Sequence, residues 1–281
     1  MWRGLQAEQL DEADVAIFGI PIDENCSVGR GASEAPKVLR ENSEYLPPVT
    51  VSGEVIPKMV FDLGDVSQYV YEQVYEKMDL CKHKKLTLIL GGDHSVSILS
   101  QKAYRQLHKG RRGIIHIDAH ADICDFYNGS HNSHACVNRR AIENGYLNED
   151  ITMIGIRSYE VQEVEYLFQN PIDIFSADKV LEMGEEQIIS QICNKYAEYE
   201  GIYLSFDIDA IDPAYAPGTG TPEAFGLPSR VVLKIIEGII KCLPVDVMDV
   251  VEVAPTLDCN NITSWLALKY ILEVFYMIKR K

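Results

Sequence analysis

Eight short runs of apolar and β-branched residues recur along the chain, and segments with helical spacing separate most of them. The runs occupy residues 15–21, 59–63, 86–90, 113–117, 151–156, 172–175, 201–208 and 245–253. Apolar residues at helical spacing occupy residues 67–82, 95–107, 187–199, 228–241 and 263–281. Repeated alternation of strand and helix predicts an α/β fold, with a parallel eight-stranded sheet and helices on both faces.

Every residue of the run 86–90 is apolar or β-branched, which is typical of a strand covered on two sides. The chain has no Pro/Gly/Ser-rich linker, low-complexity block or internal repeat. We therefore expect a single domain over residues 1–281. Open parallel sheets bind ligands beyond the carboxyl ends of their strands, so polar residues directly after strands are the candidates for function.

The charge balance narrows the functional classes. The 281 residues include 26 Lys and Arg against 42 Asp and Glu, a formal net charge of −16. Such a charge disfavours nucleic acid as a partner, because the phosphate backbone would be repelled. The N-terminus has no signal-peptide pattern and no apolar run could cross a membrane, so we expect a cytoplasmic protein. Seven cysteines without a CxxC pair predict free, mostly buried thiols.

Polar clusters follow three of the predicted strands. Residues 91–95 read GGDHS after the run 86–90, and His94 taken alone is more often a hydrogen-bonded loop residue than a ligand. Asp118, His120 and Asp122 follow the run 113–117, and alternate residues of an extended segment share a face. Two carboxylates that flank an imidazole at a strand end predict half of a metal site, because buried unpaired carboxylates are costly.

A third cluster, SFDIDAIDP, spans residues 205–213 and places Asp207 and Asp209 on one face. Asp212, directly before a proline, is expected to be a turn residue. The convergent groups then number two histidines and four aspartates, whose charge would balance two divalent ions. Oxygen-rich sites favour Mn²⁺ over tetrahedral Zn²⁺. Two such ions about 3.5–4 Å apart activate a bridging water as hydroxide, so the predicted reaction is hydrolysis.

In this order and at these separations, GGDHS, DAHAD and SFDIDAIDP resemble the signature motifs of the ureohydrolase family, which includes arginases and agmatinases. Further similarity extends over essentially the whole chain, at Gly29, Arg30, Gly31, Arg40, Asp62, Gly64, Asp65, 217–223 (PGTGTPE) and 252–258 (EVAPTLD). The resemblance implies an arginase-like three-layer sandwich. It also implies two manganese ions per subunit and a homo-oligomer, either a trimer or a hexamer.

The resemblance also implies a role for individual residues. One ion would be held by His94, Asp118, Asp122 and Asp207, and the other by His120, Asp118, Asp207 and Asp209. Asp118 and Asp207 would bridge, and Asp122 would also belong to the catalytic group. Glu252 would bind the guanidinium of the substrate, and His134 would contact the substrate and shuttle protons to the departing amine. His116 is expected to be packed or to support the ligands, and His83, His108 and His131 to lie in surface loops.

Departures from the family pattern bear on the substrate. Arginases carry an Asn where this chain has Cys124, and a thiol is a weak donor to a carboxylate. The run 133–140 (SHACVNRR) is similar to the SHA-type segment of prokaryotic agmatinases. We therefore predict agmatine, a small cationic guanidino compound, as substrate, provided that neither Arg30 nor Arg157 faces the cleft. The role of Ala224 and Phe225, in place of the common Pro-Gly, is not predicted.

Several alternatives remain at this point. Within the family they are a guanidinobutyrase, an arginase and a formimidoylglutamase. A metallophosphoesterase is disfavoured because the chain has no Asn-His-Glu or Gly-His-x-His segment. The deacetylase branch with a related fold keeps one zinc ion and needs fewer acidic ligands. A non-catalytic acidic scaffold predicts lost ligand positions, whereas all six are present.

Overall fold

The eight predicted strands are confirmed in a computed structural model that describes residues 1–281. The strands are β1 (Val15–Gly19), β2 (Val60–Asp65), β3 (Leu86–Leu90), β4 (Arg112–Ile117), β5 (Ile151–Ile156), β6 (Asp173–Ser176), β7 (Gly201–Asp207) and β8 (Val245–Val251). All pairings are parallel, and the order across the sheet is β2-β1-β3-β8-β7-β4-β5-β6. The four central strands therefore include the three that precede the polar clusters, together with β8, which precedes Glu252.

Eight α-helices lie between the strands, and a ninth follows β8. They are α1 (Ala35–Ser43), α2 (Tyr71–Cys81), α3 (Val96–Leu107), α4 (Val137–Glu143), α5 (Val161–Gln169), α6 (Ala177–Met183), α7 (Glu185–Lys195), α8 (Ser229–Cys242) and α9 (Ile262–Arg280). The five predicted helices are confirmed, whereas α1, α4, α5 and α6 were not predicted. None of the nine combines the length and apolar character needed to cross a bilayer.

Apolar cores lie on both faces of the sheet, as the α/β interpretation predicted. Alternate residues of β3 belong to different cores, with Leu88 in one and Ile89 in the other. Helices α1, α6, α7, α8 and α9 pack beside one another, and α2, α3 and α4 form a second group. Burial of β3 is complete on both sides, where Thr87 is its one polar residue, and the functional side chains lie at the strand ends.

One cysteine expectation is wrong. Cys193 on α7 and Cys242 at the end of α8 form a disulfide, with Cα atoms 6.0 Å apart. The other five cysteines are free, and three of them, Cys81, Cys124 and Cys136, are buried. Sequence spacing alone did not reveal the pair, because the two residues meet only when α7 and α8 pack side by side.

Removing this cross-link is expected to destabilise the oxidised protein. The disulfide closes a loop of 49 residues, so Cys193→Ser should lower the free energy of unfolding by about 2–4 kcal/mol. Urea denaturation measures the change, with the exposed free cysteine variant Cys259→Ser as control. Titration of seven rather than five thiols in the unfolded, non-reduced protein would contradict the disulfide.

Candidate active site

The predicted site residues meet where the central strands end. His94 lies in the turn between β3 and α3, and Asp118, His120 and Asp122 follow β4. Asp207 is the last residue of β7, and Asp209 lies in the 3-10 turn that follows. The parallel strands bring these segments to one edge of the sheet, so residues more than a hundred positions apart become neighbours.

Two groups of ligand atoms form around Asp118. His94 Nδ1 lies 2.9 Å from Asp118 Oδ2, 3.0 Å from Asp122 Oδ2 and 3.2 Å from Asp207 Oδ2. His120 Nδ1 lies 3.1 Å from Asp209 Oδ2 and 3.5 Å from Asp118 Oδ1. Asp118 thus presents one oxygen to each histidine, as a bridging ligand would.

The side chain of Asp207 contacts only one of the two histidines, His94. Its Oδ1 accepts a hydrogen bond from the backbone N–H of Asp209 at 2.8 Å, while Oδ2 faces His94. Bridging by Asp207 therefore stays a prediction. His116 joins the first group, because its Nε2 lies 3.1 Å from Asp118 Oδ2 and its ring stacks on His94 at 4.9 Å.

The electrostatics of this cluster fit divalent cations. His94 Nδ1 and Asp118 Oδ2 are buried without a hydrogen-bond partner. Burial lowers the pKa of His94, but the nearby carboxylates of Asp118, Asp122 and Asp207 outweigh it and raise that pKa. Burial, followed by the charges of Asp209 and Asp118, raises the pKa of Asp207 well above its usual range. Buried carboxylates this close need positive charge between them, and carboxylate with imidazole suits a six-coordinate metal.

His134 and Glu252 lie beside the cluster and contact each other. His134 Nδ1 lies 3.0 Å from Glu252 Oε1, and the backbone N–H of Ser27 donates to His134 Nε2 at 3.1 Å. Because Nε2 accepts, the ring proton belongs on Nδ1 and is donated to Glu252. Burial lowers the pKa of His134, but the hydrogen bond and charge of Glu252 raise it to about 9.

Glu252 is held in an unusual backbone conformation directly after β8. Its φ is 59°, in the left-handed region that non-glycine residues rarely occupy. Its Oε1 also accepts the backbone N–H of His94 at 2.8 Å, and the residue is 1% exposed. A carboxylate held in this way is fixed relative to both His94 and His134.

A cavity of about 230 Å³ opens onto His120, Asp122 and His134, whereas Glu252 lies behind His134 and does not line it. Its lining residues are Ser27, Val28, His120, Asp122, Tyr127, His134, Ala135, Ser158, Tyr159, Glu160, Glu163, Thr221 and Glu223. The lining includes four carboxylates and no Lys or Arg. Burial raises the pKa of Glu163 to about 7, so the negative charge of the wall comes mainly from Asp122, Glu160 and Glu223.

The cavity corrects the argument that rested on Cys124. This side chain is fully buried and does not line the cavity. Burial, and then the charge of Glu163, raises the pKa of its thiol. Cys124 is therefore not placed to contact the distal end of a substrate. The charge of the cavity wall, rather than Cys124, is the feature that can distinguish a cationic substrate from an anionic one.

Neither arginine that was singled out lines the cavity. Arg30 is exposed. Arg157 is turned into the protein, and its guanidinium donates to the backbone carbonyls of Gly155, Asp209, Ala210, Glu223 and Ala224. With its donors used in this way, Arg157 ties the end of β5 to the loops that carry Asp209 and Glu223.

The cavity wall at residues 158–163 was not predicted from the sequence. This segment follows β5 and contributes Ser158, Tyr159, Glu160 and Glu163 to the lining. The expectation that functional residues follow strand ends, which identified the other clusters, applies to β5 too.

The remaining histidines lie only partly at their predicted surface positions. His83 and His131 are exposed, whereas His108 is half-buried, with its ring 4.9 Å from that of Tyr104.

Known proteins similar to this chain belong to one family. The chain matches the Arginase family over residues 13–276. It is 32% identical to the guanidinobutyrase of Pseudomonas aeruginosa, over 96% of this chain and 88% of that protein. It is 34% identical to the agmatinase of Neisseria gonorrhoeae, over 94% and 87%. The solved structure of proclavaminate amidino hydrolase from Streptomyces clavuligerus is similar, with a TM-score of 0.88 and 29% identity, over 99% of this chain and 96% of that chain.

Proposed function

Because the chain belongs to the arginase family, hydrolases that act on guanidino C–N bonds, we propose that its substrate is agmatine, which it hydrolyses to putrescine and urea. The ureohydrolase resemblance of its motifs is thus confirmed. Members of this family are binuclear metal enzymes, and the cluster around Asp118 can bind metal. Manganese, a place in polyamine biosynthesis, a cytoplasmic location and a trimer or hexamer stay predictions.

The charge of the cavity wall carries the proposal. Agmatine is cationic at both ends, and Asp122, Glu160, Glu163 and Glu223 line the cavity without any Lys or Arg. Arginine and guanidinobutyrate bring a carboxylate into the same space. Like charges in a partly dry cleft repel, and an unpaired buried carboxylate costs several kcal/mol.

The proposed mechanism divides the work between the metal cluster and two side chains. When bound, a pair of divalent ions lowers the pKa of water between them and stabilises negative charge that develops on the substrate. The residues proposed to hold them are His94, Asp118, Asp122 and Asp207 for one ion, and His120, Asp118, Asp207 and Asp209 for the other.

Glu252 would orient the guanidinium, since a planar fork of N–H donors pairs best with a carboxylate. His134, 3.0 Å from Glu252, would deliver a proton to the departing amine. Its partly buried neighbour in this step is Ser27, whose hydroxyl lies 3.0 Å from His134 Nε2. Glu252 would hold the ring through Nδ1–H, while Nε2, which accepts in the neutral ring, would carry the transferable proton only in the protonated imidazole, a form that the raised pKa of His134, about 9, favours.

A guanidinobutyrase is the second candidate, because the similar Pseudomonas aeruginosa protein bears that name and is about as similar to this chain as the agmatinase is. Arginase and formimidoylglutamase activities are further family alternatives. A non-catalytic scaffold is disfavoured, because all six proposed ligands are present and lie at the same strand ends.

Urea release from a panel of guanidino compounds, with Mn²⁺ present, tests the proposal. We expect kcat/KM for agmatine to exceed that for arginine or guanidinobutyrate by about 1,000-fold, because a buried carboxylate without a partner is strongly disfavoured. A higher kcat/KM for either acid than for agmatine would overturn the substrate assignment and leave the family assignment intact.

Neutralising one wall carboxylate is expected to weaken this preference. Glu160→Gln should lower kcat/KM for agmatine by about 10-fold, in line with loss of one charge-assisted contact, and leave guanidinobutyrate hydrolysis unchanged or faster. Glu165→Gln is the matched control, since Glu165 lies on the same segment, is exposed and does not line the cavity. Equal losses for both substrates would show that Glu160 does not read substrate charge.

A further inference from the structure

A buried carboxylate lies behind the metal cluster, within the centre of the sheet. Asp249 is on β8, and the strand register places it opposite Ser205 on β7. Asp249 and Ser205 are both 0% exposed. A carboxylate in such a place needs several donors, because burying an unpaired charge is costly.

Four donors supply that need, two to each oxygen. Oδ1 of Asp249 accepts from the hydroxyl of Ser205 at 2.9 Å and from the backbone N–H of Phe206 at 3.1 Å. Oδ2 accepts from the hydroxyls of Ser97 and Tyr203, each at 2.6 Å. Every one of these contacts uses a lone pair of the carboxylate, so the single proton of the Ser205 hydroxyl points towards Asp249.

The direction of that proton determines the state of the neighbouring imidazole. His94 Nε2 lies 2.8 Å from the Ser205 hydroxyl oxygen. Since the hydroxyl proton is already donated to Asp249, the oxygen accepts at this contact and His94 Nε2 is the donor. A neutral imidazole carries only one ring proton, so Nδ1 is left with a free lone pair.

In the neutral imidazole that would bind metal, this lone pair points into the proposed metal cluster. His94 Nδ1 is buried without a hydrogen-bond partner and has carboxylate oxygens of Asp118, Asp122 and Asp207 within 3.2 Å. The ring cannot easily turn away, because it stacks on His116 with an interplanar angle of 12°. A lone pair among carboxylates is unfavourable unless a cation lies between them.

We propose that Asp249 and Ser205 are positioning residues that keep His94 in its Nε2–H tautomer and thereby set the affinity of one metal subsite. The proposal rests on the metal site of the proposed function. Partners that orient a ligating histidine typically change metal affinity by about 10-fold to 100-fold. The effect is confined to the ion bound by His94, because Ser205 makes no hydrogen bond to His120.

Mn²⁺ titration of the metal-stripped full-length protein, followed by calorimetry, tests this inference. Ser205→Ala is expected to weaken one of two binding events by about 10-fold to 100-fold, while the other is retained. Ser205→Thr, which keeps the hydroxyl, should restore most of the affinity. Asp249→Asn sets an amide N–H₂ against existing donors and is expected to lower folding yield, so Ser205→Ala is the main variant.

Ser97→Ala is the matched control, because the Ser97 hydroxyl bonds the same carboxylate at Oδ2, whereas the contact of Ser97 with His94 is a backbone hydrogen bond that the substitution keeps. It should leave both binding events unchanged. Unchanged affinity in Ser205→Ala, or equal weakening of both events in Ser205→Ala and Ser97→Ala, would overturn the positioning role. A wild-type protein that binds no Mn²⁺ would overturn the proposed function, and the inference with it.

Discussion

Asp118→Asn is expected to lower kcat/KM for the preferred guanidino substrate by about 100-fold to 4,000-fold and to leave fewer than two ions bound. Asp118 presents Oδ2 to His94 and Oδ1 to His120, so one substitution removes charge from both groups. Breaking a buried charge pair by removing one partner costs about 3–5 kcal/mol, which corresponds to that range. Urea release together with elemental analysis measures both effects.

Asp209→Asn is the comparison for this prediction, because Asp209 lies near His120 alone. It should cost less than Asp118→Asn, and Asp207→Asn should resemble Asp118→Asn if Asp207 also bridges. Activity should vanish with a chelator and return with Mn²⁺. Small and equal losses in all three variants, or one tightly bound zinc ion and no second ion, would contradict the binuclear assignment.

His134→Ala is expected to lower kcat by about 100-fold to 10,000-fold, the usual contribution of general acid–base catalysis. The metal content should not change, since His134 contacts Glu252 and Ser27 rather than the proposed ligands. His131→Ala is the control, because His131 is exposed and lies only three residues away. A variant that loses metal but keeps its rate per bound ion would identify His134 as a ligand.

Strands such as β1, β3 and β5 were predictable because each contributes a nearly continuous apolar run that is buried on both sides, whereas the edge strands β2 and β6 are partly exposed. Leu86–Leu90 and Ile151–Ile156 were predicted to the residue. Short helices were not, because two turns contain too few apolar positions to establish a period. Helix α5 is an example, since its residues Val161, Val164 and Phe168 are exposed and the pattern does not mark a buried face.

The proposed ligands were predictable because each is encoded next to the end of its own strand. Features that depend on contacts between distant elements were not. The disulfide of Cys193 with Cys242 requires the packing of α7 on α8, and the place of Asp249 behind His94 requires the register of β7 with β8. Cys124 was misjudged for the same reason, since its position relative to the cluster was known but the direction of its side chain was not.

The backbone contacts of Arg157 affect how the substrate preference of such an enzyme can change by mutation. Its guanidinium holds the backbone around Asp209 and Glu223 from behind, while residues 158–163, which begin directly after it, form one wall of the cavity. Side chains of that wall can be exchanged without moving the loop that carries Asp209. A change of preference from a cationic to an anionic guanidino substrate can therefore begin with substitutions at residues 158–163, whereas Asp122 and Glu223 lie on other segments of the cavity lining.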